Sequence, residues 1–399
     1  MKVCFETFGC RLNKAEALQM EADYLADGWE VTTKHSDANL FVVRGCSVTA
    51  RAQYECEKLI AHLKRHYPAA GIKICGCLKS NDSFSSSTHR HPNLSIPQRS
   101  QPLNPSTSQP LPVRTARAYL KVQDGCAGKC TFCIVPKFRG ESRSEDFTSL
   151  LDKAKRFIDA GYHEIVVTGC NLSLYASEGK RLPDLVSALA GLSGECRIRL
   201  GSLEPGACAQ ETVHAMAGSP NVCRFLHLPV QSGSNKVLLA MRRPYIVKDV
   251  ENTANLASKL MPNLGLGCDL MTGFPGESEL DFAATRGLLK RLPFVHAHVF
   301  PFSERPGTLA ASFPRPLAKG VRSARARLLA DDMRSKRRKF AKTFIGKTVE
   351  IVVEDEKTGR GWTGEYLPCE PLSGSFVRKS IARVFVTKTR DDLLLGNIR

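Results

Sequence analysis

Three cysteines in the run C-A-G-K-C-T-F-C, at Cys126, Cys130 and Cys133, have the type and the spacing to hold a metal cluster. Three thiolates on one short loop can bind three irons of a 4Fe-4S cube and leave the fourth iron open. An open iron can take a substrate, and the cluster can deliver an electron to it. Zinc more often takes paired C-x-x-C knuckles or cysteine–histidine mixtures, and no such pair with a second half lies nearby. A chance group of core cysteines is the plain alternative. Gly125 and Gly128 speak against it, because they loosen the loop as a ligand loop requires.

A second trio is spread along the chain. Cys10, Cys46 and Cys77 each directly follow a glycine (Gly9, Gly45 and Gly76), and each falls just beyond a short apolar run. In an open parallel sheet the carboxyl ends of neighbouring strands share one edge, where ligands sit, so distant residues converge there. A glycine at each position lets the backbone turn beside a bulky cofactor. The alternative is three thiols serving as small core residues.

The elements that must position these trios follow from hydrophobic patterning. Residues 1–78 alternate strand and helix: strand over 3–8, helix over 14–26, strand over 40–43, helix over 49–66 and strand over 72–75. That order argues for a parallel sheet. Residues 79–113 are Ser/Pro-rich and read as a flexible linker, with His89 and His91 solvated rather than ligating. From 114 to 342, six apolar runs (118–122, 164–168, 196–200, 225–230, 264–271 and 295–302) alternate with helical segments. This pattern predicts a partial (βα)6 barrel, with the C-A-G-K-C-T-F-C loop at the carboxyl end of its first strand, where barrel active sites lie. The end of this region, with Lys336, Arg337, Arg338 and Lys339, reads as a basic helix suited to phosphates, or as a solvated face. Residues 343–399 alternate as short strands and predict a small β-barrel.

Composition narrows the function classes. The chain has 399 residues, 42% hydrophobic and 24% charged, enough for two or three domains with ample core. Its formal charge of +18 predicts a polyanionic partner, nucleic acid first. Fifteen cysteines without a secretory leader suit a reducing cytoplasm. No apolar run approaches a membrane span, so no membrane partner is expected.

C-A-G-K-C-T-F-C is similar to the C-x-x-x-C-x-x-C motif of radical S-adenosylmethionine enzymes. T-F-G-C-R-L-N-K-A-E, V-V-R-G-C-S-V-T-A-R-A and I-C-G-C-L resemble the three N-terminal cysteine segments of the methylthiotransferases among them. Y-L-K-V-Q-D-G-C, I-V-P-K-F-R-G-E-S-R-S, V-V-T-G-C-N-L, L-H-L-P-V-Q-S-G-S, G-F-P-G-E and H-V-F-P-F-S-E-R-P-G-T extend the resemblance, in order, over most of the chain outside the linker. The branch acting on threonylcarbamoyladenosine in tRNA is the nearest, and the C-terminal barrel is similar to a TRAM RNA-binding domain.

The resemblance implies an N-terminal methylthiotransferase domain, a radical S-adenosylmethionine barrel and a TRAM-like barrel. It implies two 4Fe-4S clusters, a catalytic one on Cys126, Cys130 and Cys133 and a second on Cys10, Cys46 and Cys77. S-Adenosylmethionine would supply a radical that removes hydrogen from carbon 2 of the modified adenine, where a methylthio group then enters. Around the mouth, Gly169 and Asn171, Ser202 and Glu204, Gln231 and Ser232, and Gly273, Gly276 and Glu277 would hold that cofactor, or else serve as turn and cap residues. Cys170 reads as a spare thiol. Implied partners are tRNA, a reductase such as flavodoxin or ferredoxin, and a sulfur donor. Methylthiolation of isopentenyladenosine in tRNA or of a ribosomal protein, and a non-catalytic metal-binding RNA protein, are the alternatives. The chain departs from the family in the Ser/Pro-rich stretch. It departs again at Leu78–Lys79, where relatives carry a small residue and glutamine.

Overall fold

The computed structural model describes residues 1–78, 115–314 and 316–399; the linker expected at 79–113 lies outside the described residues. The N-terminal part runs β1 (Lys2–Thr7), α1 (Arg11–Ala26), β2 (Glu30–Thr32), β3 (Leu40–Gly45), α2 (Ala50–His66) and β4 (Gly71–Gly76). These strands form a parallel sheet in the order β2-β1-β3-β4. The three strands that end in glycine–cysteine loops are therefore neighbours. Alternation along them splits the core. Val3, Leu40 and Val42 pack on Tyr24 and Trp29, and Cys4, Phe41 and Val43 pack on Ile60 and Leu63. Patterning misses β2 because Glu30-Val31-Thr32 is a three-residue edge with no fully buried side chain.

The central part begins with β5 (Ala118–Lys121). A two-residue pair, β6 (Gln123–Asp124) and β7 (Arg143–Ser144), then brackets the cysteine loop and α3 (Val135–Arg139). It continues through α4 (Phe147–Asp159), β8 (Glu164–Thr168), the small hairpin β9 (Ala176–Ser177) and β10 (Lys180–Arg181), α5 (Leu182–Ala190), β11 (Arg197–Leu200), α6 (Ala207–Ala217) and β12 (Phe225–Gln231). Then come α7 (Asn235–Ala240), α8 (Val247–Leu260), β13 (Gly265–Thr272), α9 (Glu279–Arg291), β14 (Phe294–Pro301) and α10 (Lys319–Lys342). Two parallel triplets, β5-β8-β11 and β12-β13-β14, are joined by the bridges Ile198–Val222 and Ser202–His227 into a six-stranded open barrel. Helix starts are chemically marked. Asp146 accepts from Ser149 N at 2.7 Å before α4, and Ser278 and Asp281 form a reciprocal capping box at α9.

Strand alternation gives this barrel two unlike faces. Ile165, Val167, Ile198, Leu200, Leu226, Leu228, Leu266 and Leu270 face the helices in one core. The opposite positions face the lumen and are mostly polar, with Glu164, Arg197, Arg199, His227, Asp269, His296 and His298 beside the apolar Tyr119, Val166 and Phe225. Helix α1 of the N-terminal sheet covers one side, through Ala15 and Leu18 on Tyr119 and Val166.

The C-terminal strands β15 (Thr348–Val353), β16 (Gly361–Thr363), β17 (Pro368–Pro371), β18 (Ile381–Arg390) and β19 (Leu393–Ile398) close a barrel in the order β15-β16-β17-β19-β18. This barrel is latched to the strand-start end of the central one. Fully buried Glu164 accepts from Arg199 Nε at 2.7 Å and Arg197 Nε at 3.2 Å. Those two guanidiniums then donate to the carbonyls of Glu350 (2.9 Å), Trp362 (3.0 Å) and Thr363 (2.9 Å). The turn at 364–366 seats here as well. A Cβ on Gly265 would stand 2.2 Å from Glu365 O, and the Tyr366 ring lies 4.7 Å from that of Phe225. Only glycine lets the turn approach so closely.

The basic helix is used differently from a plain phosphate-facing surface. Arg325 pairs with Glu277 and Glu279, Lys336 Nζ reaches Leu292 O at 2.6 Å, and Arg337 donates to Tyr366 O at 2.8 Å. These cations fasten α10 to its neighbours because carbonyls and carboxylates crowd its inner face. Among the described residues no helix is long and apolar enough to cross a membrane.

Candidate active site

Each trio is assembled by its loops. Gly9 and Gly76 take left-handed φ angles of +90° and +89°, which turn the chain at the ends of β1 and β4. A Cβ on Gly9 would lie 2.8 Å from Cys46 Cβ, so the first two loops touch. Gly45 serves space rather than turning, since a Cβ there would meet Leu78 Cβ at 2.6 Å. The departure at position 78 thus packs directly behind the middle loop. Asn13, 1% exposed, ties the loops together by donating to Phe8 O at 2.8 Å and Gly45 O at 2.9 Å. On the other trio, Gln123 donates to Gly125 O at 2.7 Å and to Ser142 Oγ at 2.9 Å, and accepts from Asn171 N at 2.9 Å.

One arginine reaches from the helix after Cys133 to a sulfur of the Cys10, Cys46 and Cys77 trio. Arg139, six residues beyond Cys133 on α3, donates through Nε to Cys77 Sγ at 3.0 Å. Its other nitrogens reach Asp124 Oδ1 at 2.9 Å, Asn13 Oδ1 at 2.7 Å, and both carboxylate oxygens of Glu16 at 3.0 Å. A second arginine serves the other trio. Arg243 donates to Cys130 Sγ at 3.0 Å and to Glu204 Oε1 at 2.6 Å. Burial works to raise the Glu16 carboxyl, but the Arg139 hydrogen bond and the charges of Arg44, Arg139 and Lys121 carry it below its ordinary value.

Burial pushes the Cys46, Cys77 and Cys130 thiols up, and that of Cys133 to about 11. Arg139 and Arg243 act against burial at Cys77 and Cys130, favouring the thiolate that a metal needs. The donor sets fit iron–sulfur cubes. Each is three thiols with no carboxylate or imidazole among them.

Cys126, Cys130 and Cys133 open onto a pocket of about 550 Å³, in the range of cofactor sites. Four of the nine expected cofactor-binding residues, Asn171, Ser202, Glu204 and Gln231, share its wall. Asn171 Nδ2 donates to Glu204 Oε2 at 2.8 Å, so Asn171, Glu204 and Arg243 form one polar mesh. The other five lie off that wall. Gly169 packs on Gln123 behind the rim. Ser232 is buried, 3.3 Å from Thr285 Oγ1. Glu277 is buried and accepts from Gly273 N at 3.1 Å while pairing with Arg325, and Gly276 O accepts from Lys236 Nζ at 3.2 Å. Those three knit the end of β13 to α9 and α10. Cys170 lines the pocket 3.7 Å from Asp124 Oδ1, its thiol pushed up by burial to about 12. A larger cavity of about 820 Å³ lies by the C-terminal barrel and holds none of the six thiols.

Sequence reading names the thiols but not Asn13, Glu16, Asp124, Arg139 or Arg243. The first four lie in N-K-A-E, D-G-C and F-R-G, close to the cysteines, while Arg243 lies in M-R-R-P, far from any of the six in sequence. Arg139→Met would leave Glu16 and Asp124 to Lys121, and Glu16 also to Arg44. We expect a loss of about 1–2 kcal/mol in urea unfolding of the metal-free protein, below the roughly 3–5 kcal/mol of a buried charge left with no partner. A loss below about 0.5 kcal/mol would assign Arg139 no structural share.

Residues 120–289 match the model of the radical SAM superfamily, and residues 2–95 match that of the uncharacterized protein family UPF0004. The threonylcarbamoyladenosine tRNA methylthiotransferase MtaB of Aquifex aeolicus is 31% identical over 384 residues, covering 89% of this chain and 93% of that protein. The tRNA-2-methylthio-N(6)-dimethylallyladenosine synthase of Chlorobium limicola is 30% identical, over 89% of this chain and 87% of its own. Among solved structures, the radical S-adenosylmethionine methyltransferase TsrM of Kitasatospora setae superposes with a TM-score of 0.54 at 14% identity, covering 78% of this chain and 77% of that one. That likeness is one of fold.

Proposed function

The chain belongs to the radical S-adenosylmethionine tRNA methylthiotransferases, and on that premise we propose that it places a methylthio group on carbon 2 of N6-threonylcarbamoyladenosine beside the anticodon. The observation that carries the reading is two all-thiol trios, each with an arginine on one of its sulfurs (Arg139 on Cys77, Arg243 on Cys130), the trio with Cys130 opening onto a pocket walled by Asn171, Glu204 and Arg243. Cys126, Cys130 and Cys133 would hold the catalytic 4Fe-4S cluster, and Cys10, Cys46 and Cys77 a second one. When bound, the first supplies the electron that cleaves S-adenosylmethionine and the second carries the sulfur to be inserted.

The chain's own residues do the positioning. Arg243 steadies Cys130 and Glu204 together, so the ligand loop and the pocket wall keep one geometry. Glu204 and Asn171 offer carboxylate and amide groups to a cofactor's amino and hydroxyl groups. Phe132, on the pocket wall and packed against the Phe274 and Phe302 cluster, keeps water from that side. The charge of +18 and the small C-terminal barrel suit tRNA, with a flavodoxin or ferredoxin as reductase and a separate sulfur donor completing the partners.

Relatives acting on dimethylallyladenosine match almost as well, so the modified base is the point to test. A lumen lined by His227, His296, His298 and Asp269 supports a polar base modification over an apolar one. Nucleosides of tRNA from cells lacking the protein should lose 2-methylthio-threonylcarbamoyladenosine, and wild-type expression should restore it. An unchanged level of that nucleoside, or loss of the isopentenyl form instead, would refute the assignment.

A further inference from the structure

A strip of lumen side chains leads away from the thiol pocket. Asp269 stands on the pocket wall, and His227 Nε2 lies 3.1 Å from its Oδ1. The His298 ring is 5.6 Å from that of His227, and its Nε2 is 3.3 Å from His296 Nε2. Burial first, then the charges of Arg337 and its neighbours, keeps His296 neutral.

Arg11 reaches this strip from the other half of the site. It directly follows Cys10, and its Nη1 lies 3.5 Å from the carbonyl of Leu200, the last residue of β11. Its guanidinium sits 5.4 Å from the Tyr366 ring centre. Arg139 has Glu16 and Asp124, and Arg243 has Glu204, whereas Arg242 on the thiol-pocket wall, like Arg11, forms no ion pair among the described residues. Among the described residues no carboxylate lies within 4.0 Å of Arg11. This half-buried guanidinium has two acceptors beside it, the Leu200 carbonyl and the Tyr366 hydroxyl, and neither is a charged partner. Burial works to raise that hydroxyl's pKa, but the charge and hydrogen bond of Arg11 lower it. An apolar substituent placed there would leave the remaining guanidinium donors unpaired, which is costly, whereas a carboxylate would take the guanidinium fork in two parallel bonds.

We propose that Arg11, backed by His298, binds the free carboxylate of the threonylcarbamoyl group and so selects that nucleoside over an isopentenyl one. The inference rests on the reading of the substrate given above. It makes Arg11 a specificity-determining residue, whose backbone directly follows Cys10 while its guanidinium reaches the end of β11 and the Tyr366 ring.

The test is binding without turnover. Full-length protein is titrated with anticodon stem-loops carrying threonylcarbamoyladenosine, its methyl ester, isopentenyladenosine or plain adenosine, read by fluorescence anisotropy. Wild-type protein should prefer the acid over the ester by about 10- to 100-fold, the range of a charge-assisted hydrogen bond. Arg11→Gln should bind acid and ester alike, leave the adenosine loop unchanged, and keep wild-type iron content after reconstitution. Arg11→Lys should keep part of the preference. Equal binding of acid and ester by wild-type protein overturns the proposal whether or not a variant folds. So does a preference that survives in Arg11→Gln, or an equal weakening of all four loops, which marks a phosphate contact. Preference of wild-type protein for the isopentenyl loop would instead refute the substrate reading itself.

Discussion

Cys126→Ala is expected to abolish reductive cleavage of S-adenosylmethionine and to halve the iron of the reconstituted protein, from about eight to about four per chain. The reason is geometric. Cys126, Cys130 and Cys133 lie on one loop, and the polar mesh of Asn171, Glu204 and Arg243 grips it only through Cys130. No other thiol there can stand in. Cys170 shares the pocket, but it lies off the ligand loop with its sulfur 3.7 Å from Asp124 Oδ1. The Cys10, Cys46 and Cys77 loops are shaped by Gly9, Gly76 and Asn13, none of which depends on Cys126. The remaining iron should therefore keep a cluster's absorption and paramagnetic signature. Retention of about eight irons, or undiminished cleavage, would show that the trio is not the catalytic ligand set. Zinc in stoichiometric amount from anaerobic wild-type protein would point to a structural metal protein instead.

Glu164→Gln should cost about 3–5 kcal/mol at neutral pH, the penalty for stranding buried charge. Glu164 and Arg199 are both fully buried, and Glu164 is the carboxylate that Arg197 and Arg199 share. Gln would keep the volume but remove the countercharge, leaving Arg199 with only carbonyls. Burial works to raise the Glu164 carboxyl, but Arg199, Arg197 and Arg117 hold it far below the usual carboxylate range. Its contribution to stability is thus full above the unfolded pKa, about 4.3, and is lost as pH falls through the lower folded value. Wild-type protein should converge on the variant in acid, while the gap stays open from pH 5 upward. Trp362, whose carbonyl accepts from Arg197, reports the latch by fluorescence during urea unfolding. Equal midpoints at pH 7 would remove Glu164 from the latch.

What could be read in advance was whatever acts through residue type or local period. The runs at 40–43 and 164–168 are apolar enough to be strands in any context, and β3 and β8 cover them. The thiols declare themselves by spacing and by the glycines before them. Residues acting over long separations were hidden. Arg139 meets Cys77 from 62 positions away, and on a five-residue helix it looks like any solvated cation. The surroundings of G-F-P-G-E were hidden for a related reason. A glycine–glutamate turn after a strand suits a cofactor rim, yet Arg325 on α10, 48 positions further on, draws Glu277 inward. The same pull explains α10 itself. Its cations were visible in the sequence, but the carbonyls of Leu292 and Tyr366 that receive them were not.

The latch at the strand starts also works as a ruler. The cysteine loops sit where the strands finish and the C-terminal barrel is bolted where they begin, so the gap between them is set by strand length. The eight residues of β13 span about 25 Å. A polynucleotide touching both is therefore gauged along its own length, and lengthening or shortening those strands would shift which nucleotide arrives at the thiols.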